Sequence, residues 1–155
     1  MQSEIERKFL VKSLPDLSEC KSSRIVQCYI ELTEHTERRV RRIDDEYYLT
    51  SKSGLGLVRE EKEENITAVK FSELSRNSIG NIVEKTRYYM NLGVYLIEID
   101  IYESKLKGLI TAEVEFESES ESKNFTPPEW FGAEVTEDGR YKNRSLAIHG
   151  IPEMI

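Results

Sequence analysis

Cysteine is nearly absent from this chain: Cys20 and Cys28 are the only two in 155 residues. They do not stand at metal-ligand spacing, and two thiols cannot found a disulfide scaffold, so the expected compartment is the reducing cytoplasm. The two histidines, His35 and His149, lie far apart and offer no paired ligand set. No apolar run approaches the ~20 residues of a transmembrane helix, and the alternating charge of Met1 to Lys8 excludes a secretory signal. Neither a membrane nor a signal-directed export route is therefore expected. Surplus positive charge is missing as well. The net charge of −7 argues against non-specific binding to nucleic acid, though not against local basic clusters. Linkers, internal repeats and low-complexity blocks are lacking too, so residues 1–155 read as a single domain.

Charge of both signs and aromatic residues are plentiful: 33% of the chain is charged, and it carries 8 Tyr, 5 Phe and 1 Trp. Apolar–polar alternation with period 2 dominates, which predicts strands. They are expected at Ile5–Val11, Arg24–Leu32, Glu37–Ile43, Tyr47–Lys52, Leu57–Glu64, Val83–Asn91, Val94–Tyr102 and Thr111–Glu117. Turns at Asp44-Asp45-Glu46 and Leu92-Gly93 make hairpins of two strand pairs. Three short helical pieces are expected. Ser72 caps Glu73–Ser78, a helical turn runs from Thr126-Pro127 to Gly132, and a last helix runs from Asp138 to Gly150. The polar run Ser118–Lys123 reads as a loop. The fold class is thus mainly β (α+β), with about eight antiparallel strands.

Parity carries the functional signal. Side chains two apart share a strand face, and this groups Glu4, Glu6 and Lys8; Arg39 and Arg41; Arg59, Glu61 and Glu63; Lys85 and Arg87; Glu98 and Asp100; and Glu113 and Glu115. Lys52 joins them. The opposite parity is apolar on several strands, as in Ile97, Ile99 and Ile101 or Ala112, Val114 and Phe116, whereas Leu57–Glu64 is polar on both faces. One explanation is a solvated sheet face with surface ion pairs worth roughly 0.2–1 kcal/mol each. The other is a closed barrel with a charged interior and an apolar outside covered by helices, since eight strands enclose room for one small ligand. Six strands offering only acids and bases favour the second. Buried charge is tolerable only when a charged ligand and cations match it. The near-balance of acids and bases, tipped positive by two divalent cations, suits a compact polyanion such as triphosphate, which carries about four negative charges at neutral pH.

Glu4-Ile5-Glu6-Arg7-Lys8 is an ExExK signature. It is followed in order by Arg39-x-Arg41, Tyr48-Leu49-Thr50-x-Lys52, Arg59-x-Glu61-x-Glu63, Glu84-Lys85-Thr86-Arg87, Glu98-x-Asp100 and Glu113-x-Glu115. Glu134-Val135-Thr136 and Arg140-Tyr141-x-Asn143 close the series. Through nearly its whole length the chain resembles the CYTH superfamily of triphosphate tunnel metalloenzymes, in its short bacterial branch. The resemblance implies a closed eight-stranded antiparallel tunnel with a few short helices outside and a C-terminal helix near one mouth. It also implies triphosphate binding with Mg²⁺ or Mn²⁺.

Chemistry suggests the roles. Hard cations take oxygen ligands, which points to Glu4, Glu6, Glu113 and Glu115 as metal ligands. Lys8, Arg39, Arg41, Lys52 and Arg87 are the expected phosphate clamps, with Arg59 as a further member that can instead neutralise Glu61 and Glu63. Glu98 and Asp100 would hold a second ion or orient the attacking water. A different base is Lys85, losing its proton among neighbouring cations, with Tyr29 hydrogen-bonded to it. Trp130 is expected to pack on the barrel, and the last helix to plug one mouth through Arg140, Lys142 or Arg144. The leading expectation is metal-dependent hydrolysis of inorganic tripolyphosphate to diphosphate and phosphate, because no base- or ribose-binding element is evident. Two alternatives stay open: a nucleoside triphosphatase or adenylate cyclase of the same family, and a non-catalytic triphosphate- or polyphosphate-binding module. The expected partner is a small-molecule triphosphate, and a homodimer is the commonest assembly for such a chain.

Overall fold

Nine strands form one antiparallel sheet in the computed structural model, which describes residues 5–55 and 58–153. They are β1 (Ile5–Val11), β2 (Lys21–Leu32), β3 (Thr36–Ile43), β4 (Glu46–Leu55), β5 (Val58–Asn65), β6 (Ile79–Leu92), β7 (Tyr95–Glu103), β8 (Ile110–Phe116) and β9 (Phe131–Glu134). Their order is β5-β4-β3-β2-β6-β7-β8-β1-β9. The first strand is thus inserted between two of the last, with Glu6 opposite Glu115 and Lys8 opposite Glu113. Among the described residues the ladder ends at β5 and β9, so backbone pairing does not itself close the sheet. The polar strand expected around Leu57–Glu64 is the edge strand β5. Its residues Glu60 to Asn65 are exposed on both faces, a charged edge that discourages pairing with other chains.

The apolar parity packs under short covering elements. Phe9, Ile97, Ile99, Ala112, Val114 and Phe116 form one buried cluster with Phe125 and Phe131, and Trp130 packs against it edge-on to Phe131. Cys28, Val40 and Leu49 form a second, covered by Phe71 and Leu74 of helix α1 (Ala68–Ser75). Each such burial contributes about 1.5–3 kcal/mol. A third cluster lies at one end of the charged face. There Tyr29, Val83 and Tyr102 meet Tyr141, Leu146 and Ala147, carried by a 3₁₀ turn (Gly139–Tyr141) and helix α3 (Asn143–His149). The C-terminal segment therefore packs on that end of the charged face through Tyr141, Leu146 and Ala147, whereas Arg140 and Lys142, expected to plug it, are exposed.

Arg7 fixes β1 from the apolar side. Its guanidinium forks onto Glu134 at 2.8 and 3.0 Å, donates to the Ser122 carbonyl at 2.8 Å, and lies 5.1 Å from the Phe9 ring centre. Thr136 accepts from the Lys8 amide at 3.0 Å. The Glu134-Val135-Thr136 motif thus ties β9 to β1, which holds Glu6 and Lys8 on the opposite face.

Several local expectations need correction. Thr67, not Ser72, caps α1 by accepting from the Lys70 amide, so the helix runs earlier than Glu73–Ser78 and its end is stopped before β6. Ser118–Lys123 is not a loop. Ser118 caps helix α2 (Glu119–Asn124), whose wholly polar run hides any apolar period. Thr126 to Gly132 is not a helical turn, because Phe131 and Gly132 are drawn into β9, the ninth strand, against β1. The last helix begins at Asn143 rather than Asp138, which instead caps the 3₁₀ turn. The tight turn between β6 and β7 is Gly93-Val94, one residue later than Leu92-Gly93, with Gly93 at a φ of 61°.

Candidate active site

Period 2 and the observed register place the two kinds of charge at different depths of one face. At one mouth, Glu6, Glu98, Glu113 and Glu115 line a cleft of about 1090 Å³ together with Glu117 and Glu121, and with Ile5, Val94, Tyr95, Leu96 and Phe116 as its apolar wall. Glu6 faces Glu115 across β1 and β8, and Glu98 faces Glu113 across β7 and β8. Glu6 and Glu115 are exposed, whereas Glu98 and Glu113 are half-buried. Burial pushes the Glu98 carboxyl up, with Arg87 opposing and Glu113 adding to the shift. Lys8 stands beside these acids, 3.6 Å from Glu113, its ammonium donating to the Tyr141 carbonyl at 2.7 Å.

Deeper in, β6 and β7 place Lys85 and Arg87 around Asp100. Lys85 is 3% exposed and Asp100 1%, so this group is out of reach of bulk water. One Asp100 oxygen accepts from the Lys85 ammonium at 2.8 Å and from Arg87 Nη2 at 3.0 Å, while the other accepts from Arg87 Nε at 2.8 Å. Arg87 Nη1 reaches Glu98 at 2.7 Å. Burial alone would raise the Asp100 carboxyl, but Lys85 and Arg87 outweigh it and hold it at about 2. Burial pulls the Lys85 ammonium down, with Asp100 working the other way.

On β3, Arg39 and Arg41 are half-buried and held only loosely. Arg39 lies 3.8 Å from Glu37, and Arg41 lies 3.9 Å from Glu63, both beyond hydrogen-bond distance. Each has a buried Nε without a hydrogen-bond partner. Burial lowers the Arg41 pKa, and the neighbouring charge of Arg39 lowers it further. Buried donors left unmade are costly, about 1–3 kcal/mol each, and mark where an anion would be welcome. Lys52 lines a second cleft of about 410 Å³ at the α3 end with Glu37, Glu61 and Arg144. Glu4 and the side chain of Arg59 lie outside the described residues.

The Tyr29–Lys85 contact expected from sequence is replaced by other partners. Tyr29 Oη accepts from Gln27 at 3.4 Å and lies opposite Arg39, while Lys85 donates to Asp100 and sits 5.2 Å from the Tyr102 ring centre. Sequence reasoning also missed Glu37 and Gln27. Both stand on the charged face, where Glu37 sits between two arginines (Arg39 and Arg144) and Gln27 is buried at 3% exposure. Glu37 stands two residues before Arg39, and the same parity argument would have found it.

A metal fits the donors present. The set is all carboxylate oxygen, which suits a hard divalent cation. Among the described residues no three or more His, Cys, Asp or Glu side chains form a cage by themselves. An ion here would take one or two carboxylates and complete its shell with water and a ligand's oxygens, a division common for small hard cations.

The CYTH domain model matches residues 2–145. This chain belongs to the CYTH domain family. The chain is 45% identical to an inorganic triphosphatase of Nitrosomonas europaea over 148 residues, covering 94% of this chain and 97% of that protein. It is 34% identical to an inorganic triphosphatase of Acetivibrio thermocellus, covering 94% of each. The crystal structure of an inorganic triphosphatase superposes with a TM-score of 0.84 at 42% identity, covering 99% of both chains. The mainly antiparallel CYTH architecture therefore holds across the described residues. Among the described residues no helix is long and apolar enough to cross a membrane.

Proposed function

We propose that this CYTH domain hydrolyses inorganic tripolyphosphate to diphosphate and phosphate, with Mg²⁺ or Mn²⁺ at the acidic mouth. The observation that carries the reading is the pair of buried, unpartnered guanidinium donors on Arg39 and Arg41, on the same charged face as Glu6, Glu98, Glu113 and Glu115 at its mouth. Two relatives of near-full coverage bearing the name inorganic triphosphatase support it.

Arg39, Arg41, Lys52 and Lys8 bind the phosphate chain, and Arg59 extends this set from β5. Arg87 keeps Nη1 directed at the mouth through Glu98 while Asp100 fixes its Nε and Nη2. Glu6, Glu113 and Glu115 hold the cation, with Glu4 as the adjoining ligand in sequence. When bound, the cation neutralises charge on the phosphoryl oxygens and acts as a Lewis acid. Glu98, half-buried and with its carboxyl raised by burial, orients and deprotonates the attacking water at the terminal phosphorus. Asp100 has both oxygens committed to Lys85 and Arg87, so its work is to aim cations rather than to hold an ion or a water. Lys85, fixed on Asp100, supplies buried positive charge beneath the site. Catalysis of this kind rests on positioning and charge neutralisation.

The test is phosphate release from tripolyphosphate, ATP and thiamine triphosphate, with Mg²⁺, with Mn²⁺ and with EDTA. Fastest release from tripolyphosphate, abolished by EDTA and by Glu6→Gln with Glu115→Gln, is the expected result. Faster release from ATP would move the assignment to a nucleoside triphosphatase. Thermal stabilisation by tripolyphosphate without release would identify a binding module.

A further inference from the structure

Glu37 lies on the charged face between two arginines from different parts of the fold. Its Oε2 is 3.8 Å from Arg39 Nη1 on β3, and its Oε1 is 3.9 Å from Arg144 Nη1 on α3. Both distances are too long for hydrogen bonds, which for charged pairs close to about 2.7–2.9 Å. The carboxylate is nevertheless largely shielded, 18% exposed at its side chain. It is thus a counter-ion shared almost equally between the two. The Tyr29 hydroxyl lies within the field of the same three charges, and Glu37 and Arg144 line one cleft together with Lys52.

We propose that Arg144 is a positioning residue for substrate binding, acting through Glu37. By drawing on one oxygen of Glu37, it keeps that carboxylate from closing onto Arg39 in a tight fork, and so leaves the Arg39 donors open to phosphate. Without Arg144 the carboxylate keeps Arg39 as its ion-pair partner within 4 Å, with Lys52 opposite it on β4. It then collapses into a short bidentate pair with Arg39, the geometry in which guanidinium and carboxylate bind best, and phosphate must displace it. The helix that closes this end of the charged face thereby sets substrate affinity without touching substrate. The idea rests on the tripolyphosphatase reading above, because it needs Arg39 to be a phosphate ligand.

The experiment compares steady-state tripolyphosphate hydrolysis by the parent, Arg144→Met, Arg144→Lys, Glu37→Gln and the double variant Arg144→Met with Glu37→Gln. Arg144→Met is expected to raise KM roughly five- to twentyfold with kcat nearly kept, the pattern of lost ground-state binding. Arg144→Lys, which retains the charge, keeps KM within about twofold of the parent. The double variant returns KM to the value of Glu37→Gln alone, the non-additivity expected of residues acting through one another. An unmoved KM in Arg144→Met overturns the proposal. So does a raised KM that Glu37→Gln fails to relieve, because Arg144 would then act directly or through the packing of α3. Thermal unfolding of each variant separates a loosened helix from a redirected carboxylate. A parent inert toward tripolyphosphate refutes the functional reading itself, a result distinct from an active parent with an indifferent Arg144→Met.

Discussion

Replacing Asp100 by Asn tests the buried charge group at the heart of the site. The substitution keeps shape and removes one negative charge, leaving Lys85 at 3% exposure with no carboxylate and Arg87 with one of its two. The amide nitrogen of Asn also faces donors with a donor. Breaking a buried ion pair by removing one partner costs about 3–5 kcal/mol. The depressed Asp100 carboxyl points the same way. A carboxyl held at about 2 instead of 3.8 contributes roughly 2–3 kcal/mol at neutral pH. Because its folded pKa is depressed, that contribution is complete above pH ~4 and fades as pH falls toward 2. Urea unfolding at pH 7 should therefore show Asp100→Asn destabilised by about 3–5 kcal/mol, with the gap from the parent narrowing at pH 3. For a chain of this length the melting temperature should drop by roughly 6–20 °C. A second variant, Lys85→Met with Asp100→Asn, removes the buried ammonium left without its carboxylate and should recover part of the loss, while Arg87 keeps only Glu98. A loss below about 1 kcal/mol in Asp100→Asn, or a double variant worse than the sum of both singles, would refute the account.

Two further perturbations probe what holds the site in place. Gly80 sits at a φ of 75°, and a Cβ there would lie 2.5 Å from the Ala147 carbonyl oxygen of α3. Gly80→Ala should cost about 1–3 kcal/mol in thermal or urea unfolding and loosen α3 as read by amide hydrogen exchange. Arg7→Met should release β9 and α2 from β1. Arg7 holds the Glu134 carboxyl below its usual range, a contribution present above the ordinary carboxylate pKa and lost as pH falls through the lowered one. The variant should show a smaller decline in melting temperature on acidification than the parent.

The strands and the sorting of charge by face were legible in the sequence because alternation with period 2 survives wherever one side of a strand is apolar. Ile97, Ile99 and Ile101 opposite Glu98 and Asp100 needed no coordinates. Short helices were less legible. Glu119 to Asn124 holds no apolar residue, so periodicity is silent and only the Ser118 cap marks the helix. Ser72 has the chemistry of a cap, but α1 is placed earlier by Phe71 and Leu74 packing over Val40 and Leu49, a tertiary fact. The ninth strand was masked by Pro127, Pro128 and Gly132, which read as punctuation. In the site, the residue types were visible but their pairing was not. That Asp100 braces Lys85 depends on the register of β6 against β7, where Arg87 stands opposite Asp100, and sequence spacing alone leaves that register open.

The insertion of β1 between β8 and β9 has a consequence for biosynthesis. β1 is made well before β8 and β9, and it finds both neighbours only after the region through Glu134 has been made. Until then its apolar side, Phe9 above all, lacks its cover, and Glu6 lacks Glu115 across from it. At about 5–20 residues per second this interval lasts several seconds to tens of seconds. The acidic mouth is thus assembled by the meeting of early and late chain, and a polypeptide that stops before β8 lacks Glu113 and Glu115 beside Glu6.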